Sequence, residues 1–213
     1  MLTPAIFDIA LTAFVSLFVI IDPLGLLPIF IGLTQGASAA HKKKMAFKGV
    51  LIGGVILVFF ALLGDHFLEL LGVGLPAFRI AGGVMLFLIA LEMVFDKRAK
   101  RREVNAEEVK GSDFHEDIAV FPLAIPLISG PGAIASIMLL MSANKENIVA
   151  QSAVLMVLAG VLLLCLTLFL LAEKLERFVG DTITHIISRV LGIVLAALAI
   201  QYILDGLKRG LLS

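Results

Sequence analysis

The sequence predicts an all-α polytopic membrane protein: six transmembrane helices arranged as two inverted three-helix repeats, with helices 1 and 4 broken by proline and glycine. Three observations carry this prediction. The 213 residues are 60% hydrophobic and only 16% charged, with a mean hydropathy of +1.08, whereas a soluble domain is about 45–50% apolar and about 25% charged. Charge is also unevenly spread. Seventeen basic and seventeen acidic residues balance, yet thirteen of these side chains fall between Asp96 and Asp117. Finally, related motifs recur in the same order about 110 residues apart.

A helix needs about 20 apolar residues to cross a hydrocarbon core about 30 Å thick. Six stretches qualify, and their continuous apolar runs lack the alternation of barrel strands. The first covers about 5–33, with Asp22 as its one deep charge. Its leading residues, MLTPAIFDIALTAF, carry no Lys or Arg, and the apolar run is too long for a signal peptide, so it reads as a retained span. The second covers about 45–66, after Lys42, Lys43 and Lys44, and ends near Asp65, His66 and Glu69. The third covers about 72–95. Residues 96–117 form a linker of mixed charge, read as solvated, with a regulatory or partner-binding role as the alternative. The fourth span covers about 118–142, the fifth about 151–172 and the sixth about 184–207. The chain thus divides into a first repeat (1–95), the linker (96–117) and a second repeat (118–213).

Short loops rich in Lys and Arg stay in the cytoplasm. One side receives Lys42, Lys43, Lys44 and Lys48, six basic residues between Lys97 and Lys110, then Lys174, Arg177 and Arg189. The other has Arg79, Lys145, Lys208 and Arg209. This bias puts both termini outside the cytoplasm and the 96–117 loop within it.

Three spans per half is an odd number, so the second half starts from the opposite face, as in the inverted repeats of secondary transporters. Arg79-Ile-Ala-Gly82-Gly-Val84 in the third span matches Arg189-Val-Leu-Gly192-Ile-Val194 in the sixth, an offset of 110. Asp22-Pro23-Leu-Gly25 in the first faces Ser129-Gly130-Pro131-Gly132 in the fourth, an offset of 107 or 108. Both clusters sit near the middle of their spans. Proline removes a donor and clashes with the preceding turn, and glycine relaxes the backbone, so each cluster predicts a break. Broken helices at membrane depth are tolerated where freed backbone groups are buried in protein or line a wet cavity. A half-helix N-terminus suits a carboxylate and unwound carbonyls suit a cation, so a zwitterionic amino acid fits both. The alternative is a pair of kinks that only help helices pack.

Asp22, Pro23, Gly25 and Pro28 in the first span, and Pro126, Ser129, Gly130, Pro131 and Gly132 in the fourth, are the candidate substrate- and ion-binding residues. A carboxylate at the bilayer centre costs at least about 2.5–3.5 kcal/mol, so Asp22 needs a reason. It takes up a proton, binds a cation or substrate ammonium, or caps the helix that begins at Pro23. Arg79 and Arg189 at the starts of the third and sixth helices, and Glu92 and Asp205 near their other ends, are structural or gating charges. Cys165, set in LLLCLTL, is a packing residue. No His pair has ligand spacing, and there is no nucleotide fingerprint or zinc motif, so no metal site, catalytic residue or cofactor is expected beyond a coupling H+ or Na+. ISGPG at 128–132 does not fit Gly-x-Ser-x-Gly, which argues against an intramembrane hydrolase.

IIDPLGLLPIF at 20–30, FRIAGG at 78–83, LFLIALEMVF at 86–95, VFPLAIPLISGPGAIAS at 120–136 and Gln201-Tyr-Ile-Leu-Asp-Gly206 together resemble the MarC family of neutral amino acid transporter (SnatA-like) proteins. The resemblance spans nearly the whole chain except the linker. It implies a six-span bacterial or archaeal inner-membrane protein that carries small neutral amino acids such as glycine and alanine, coupled to an ion gradient. The expected partners are the lipid bilayer and a small-molecule substrate, with no nucleic acid; a homo-oligomer is open. The alternatives are an exporter or channel for another small solute, or a non-transporting scaffold that recruits a partner through the linker.

Overall fold

The structure is a computed structural model that describes residues 4–95, 97, 119–175 and 181–212; the charged linker, Lys97 apart, lies outside the described residues. Apart from short turns and breaks, those residues are helical, with no strand among them. In chain order they form α1 (Pro4–Ile21), α2 (Pro23–Leu33), α3 (Ala39–Leu70), α4 (Leu75–Val94), the irregular α5 (Ala119–Ile128), α6 (Pro131–Ala143), α7 (Ile148–Leu170), the short α8 (Ala172–Leu175) and α9 (Asp181–Leu212). Five runs are long and apolar enough to cross a membrane, α1 and α2 counting as one. A sixth is added when α5 and α6, bent by 53° at their junction, are taken as one broken span.

The helix ends follow local chemistry rather than hydropathy. Ser38 caps α3 by accepting from the His41 N–H at 3.3 Å, so α3 starts six residues ahead of the expected 45. The lysines that follow are good helix formers, and they carry the helix beyond the apolar run. Gly72, at φ +67, ends it. Pro76 sits in the first turn of α4, where its missing N–H costs nothing. Asn147 caps α7 through the Ala150 N–H at 3.1 Å. α9 begins at Asp181, so Arg189 lies two turns inside it and not at its start as the sequence reading placed it.

Packing is led by α4 and α9, which run antiparallel against each other. Glycine permits this approach: a Cβ on Gly83 would lie 2.6 Å from Ile203 Cγ1 and 2.8 Å from the Ala199 carbonyl. At the other end a Cβ on Gly192 would lie 2.9 Å from Met93 Cβ and 3.1 Å from the Ala90 carbonyl. Such close backbones gain dispersion contacts where lipid offers no hydrophobic drive between helices. Around this pair, α1 and α2 pack on α7, while α5 and α6 pack on α3. Phe30 of α2 stacks on Phe169 of α7 with ring centroids 4.5 Å apart. Leu17, Ile21, Leu26, Leu57, Leu86 and Ile137 are fully buried between these layers. Leu51, Val55, Phe59, Leu163 and Ile193 point outward, the surface a bilayer requires.

Candidate functional site at two helix breaks

The first break falls on one residue. Asp22 takes φ 57 and ψ 64, the sole positive φ outside glycine among the described residues. Its N–H still donates to the Phe18 carbonyl at 2.8 Å, and its carbonyl already accepts from Leu26 N–H at 3.0 Å. It therefore closes α1 and opens α2, with Pro23 in the first helical position. Its carboxylate accepts the Gly25 N–H at 3.1 Å, and the residue is only 5% exposed. A Cβ at Gly25 would collide with that carboxylate, so glycine makes room for the charge. Pro28, further along α2, is exposed and stands apart from this contact.

The second break is built differently. The x-Pro pairs Phe121-Pro122 and Ile125-Pro126 are cis, and Phe121 and Ile125 are extended. Proline disfavours helical dihedrals in the residue before it, which explains why α5 is irregular. Ser129 closes the segment: its N–H and its Oγ both donate to the Ala124 carbonyl, at 2.9 and 2.8 Å. Gly130 (φ −68, ψ 168) then leads into Pro131 and α6. A Cβ on Gly130 would lie 2.5 Å from the Pro126 carbonyl, so the turn excludes other residues without adjustment.

The two N-termini differ in chemistry. That of α2 is capped by the Asp22 carboxylate; that of α6 has no side-chain cap. A helix N-terminus carries a partial positive charge and unsatisfied N–H donors, so the α6 terminus favours an anionic group and Asp22 a cationic one. The breaks are also neighbours. A Cβ on Gly132 would lie 3.5 Å from Ile20 Cγ2, two residues before Asp22, and 3.6 Å from Leu86 Cδ2 on α4.

The four remaining charges lie on α4 and α9. Arg79 is 4% exposed and interacts electrostatically with Asp205 and Tyr202 on α9, and with Arg209 and Asp65. Asp205, half-buried, accepts from Gln201 Nε2 at 3.0 Å. Arg189, its sequence counterpart, is exposed, and Glu92 is half-buried in the last turn of α4. On the same face as Asp65, Lys145 reaches Glu69 Oε1 at 3.1 Å and Asp65 Oδ2 at 3.8 Å. The Glu69 hydrogen bond and charge, then Asp65, hold the Lys145 ammonium above its ordinary range.

Three buried serines escaped the sequence reading. Ser136 and Ser142 on α6 have Oγ atoms with no hydrogen-bond partner among the described residues. Ser16 on α1 lies near the Tyr202 hydroxyl without satisfying hydrogen-bond geometry. For Ser136 the signal was available: it follows Gly132 by four residues, one turn along the same helix face.

These features define a polytopic α-helical integral membrane protein with two interrupted spans meeting in its interior. The chain belongs to the MarC family: it matches the family described as MarC family integral membrane protein over residues 7–211. It is 35% identical over 202 residues to the UPF0056 membrane protein YvbG of Bacillus subtilis, covering 95% of each chain. It is 34% identical to the UPF0056 membrane protein YhcE of Escherichia coli, covering 95% of this chain and 93% of that one. A similar match, 34% over 94% of this chain and 96% of the relative, links it to the UPF0056 membrane protein MJ1677 of Methanocaldococcus jannaschii. No solved structure gives a significant match.

Proposed function

We propose that this protein is a secondary transporter of small neutral amino acids, of the glycine and alanine class, coupled to a proton or sodium gradient. The substrate sits between the broken spans, its ammonium toward the Asp22 carboxylate and its carboxylate toward the N-terminus of α6. The observation that carries this reading is the pairing of one capped and one uncapped half-helix in adjacent breaks. Separated charges of opposite sign fit a zwitterion better than a simple cation or anion.

Alternating access follows from an inverted repeat, in which the halves 1–95 and 118–213 exchange roles across the membrane. Two packing facts support that relationship. Each broken span lies on the middle helix of the opposite half, α1 and α2 on α7, α5 and α6 on α3. In the α4–α9 pair, Gly83 meets residues 199 and 203 while Gly192 meets residues 90 and 93, a reciprocal pattern close to the 110-residue offset. On this reading the protein sits in the bacterial inner membrane, and the bias of basic residues supports both termini extracytoplasmic and the 96–117 loop cytoplasmic.

The test is uptake of labelled glycine and alanine into proteoliposomes under imposed proton or sodium gradients. Accumulation above the outside concentration that follows one gradient supports the reading. Flux that only equalises concentrations indicates a channel, and no flux from folded protein rejects the amino acid assignment.

A further inference from the structure

Away from the breaks, α3 and α7 enclose an open apolar groove of about 580 Å³ on the outer surface. Its floor is Val50, Gly54, Leu158 and Leu162, all buried; its walls include Leu51, Val55, Phe59 and Leu163, each more than half exposed. A Cβ on Gly54 would lie 3.0 Å from Leu162 Cδ1, so the groove is as deep there as the backbone allows. One end of the groove is charged. Lys44 and Lys48 are exposed on α3, at i−7 and i−3 from Leu51, with exposed Phe47 between them. At 1.5 Å per residue the lysine Cα atoms lie roughly 3–9 Å along the helix from Val50, where the apolar lining begins, about the height of a phosphate above its acyl chains.

We propose that this groove is a binding site for an anionic glycerophospholipid, one acyl chain along Gly54 and the phosphate between Lys44 and Lys48. Basic residues between transmembrane helices recognise acidic headgroups in this way. The lysines also argue against a second copy of the chain as occupant. A twofold interface is isologous, so it would bring Lys44 and Lys48 of both protomers to the same depth, like charge toward like charge.

The site is tested by native mass spectrometry of the full chain released from membranes containing equal phosphatidylglycerol and phosphatidylcholine with identical acyl chains. Phosphatidylglycerol should be retained preferentially. Lys44→Gln with Lys48→Gln should lower that preference by about fivefold per lysine, roughly thirtyfold for the pair. Val55→Trp, on an exposed wall where it does not disturb the core, should displace both lipids. Equal retention of the two lipids by the wild-type chain overturns the proposal. So does phosphatidylglycerol retention untouched by either variant, or an intermolecular disulfide formed in membranes by Val55→Cys in a Cys165→Ser chain.

Discussion

Gly25 donates its backbone N–H to the Asp22 carboxylate at 3.1 Å, and it has no side chain because the carboxylate fills the place where a Cβ would stand. The pair makes one device: a helix start that holds a buried charge against its own positive end. Its two functions, capping and charge, can be separated by substitution.

Asp22→Asn preserves the cap, since Asn accepts the same hydrogen bond and tolerates a positive φ. Its thermal stability in detergent should change by less than about 1 kcal/mol while gradient-driven glycine uptake is lost. Asp22→Ala removes the cap and leaves a methyl side chain at φ 57, and should cost about 1–2 kcal/mol. Gly25→Ala should cost about 1–3 kcal/mol through overpacking and abolish uptake as well. Full uptake by Asp22→Asn would reduce Asp22 to a cap.

The α4–α9 seam is tested at Gly83. Gly83→Ala drives a methyl into Ile203 and the Ala199 carbonyl, and unfolding should become easier by about 1–3 kcal/mol. Gly160 in α7 is the control, for nothing lies within 4 Å of its added Cβ. Gly160→Ala should be neutral or raise stability by up to about 1 kcal/mol from helix propensity alone.

Much of this architecture was legible in the sequence. Six apolar runs, the Asp22-Pro23 helix start and the Gly130-Pro131 break can all be read from residue types, because proline and glycine act locally. Helix ends were less legible: Ser38 and the lysines after it extend α3 through polar residues that hydropathy discounts. The disruption of α5 by Pro122 as well as Pro126 was missed, though two prolines four residues apart in one span signal it. Burial of Arg79 beside exposed Arg189 was not legible at all. Matching sequence positions say nothing about which one its neighbours cover.

That asymmetry gives a third prediction. Arg79 interacts with Asp205, so a double-mutant cycle of Arg79→Gln and Asp205→Asn should return a coupling of about 0.5–3 kcal/mol in thermal unfolding. Exposed Arg189→Gln should change stability by no more than about 0.5 kcal/mol. Equal effects from the two arginines would contradict the burial difference.

The Lys145 cluster predicts a pH dependence. Its folded pKa is raised by Glu69 and Asp65, so its contribution is complete below the unfolded value and is lost as pH rises through the folded one. Any stability gap between wild type and Lys145→Gln should therefore be flat across neutral pH, shrink only on the alkaline side of 10.5, and fall with added salt because the group is exposed. A gap that changes between pH 5 and 8 would point to another group.

The most direct measurement concerns occupancy of the breaks. In a Cys165→Ser chain, a cysteine replacing Leu24, half-buried beside Asp22, should be alkylated more slowly when glycine or alanine is present. Val55→Cys on the outer surface should be indifferent to either amino acid, and protection at residue 24 should vanish with Asp22→Asn. Alkylation of Leu24→Cys at one rate with and without both amino acids, in folded protein, would contradict a substrate site between the two broken helices.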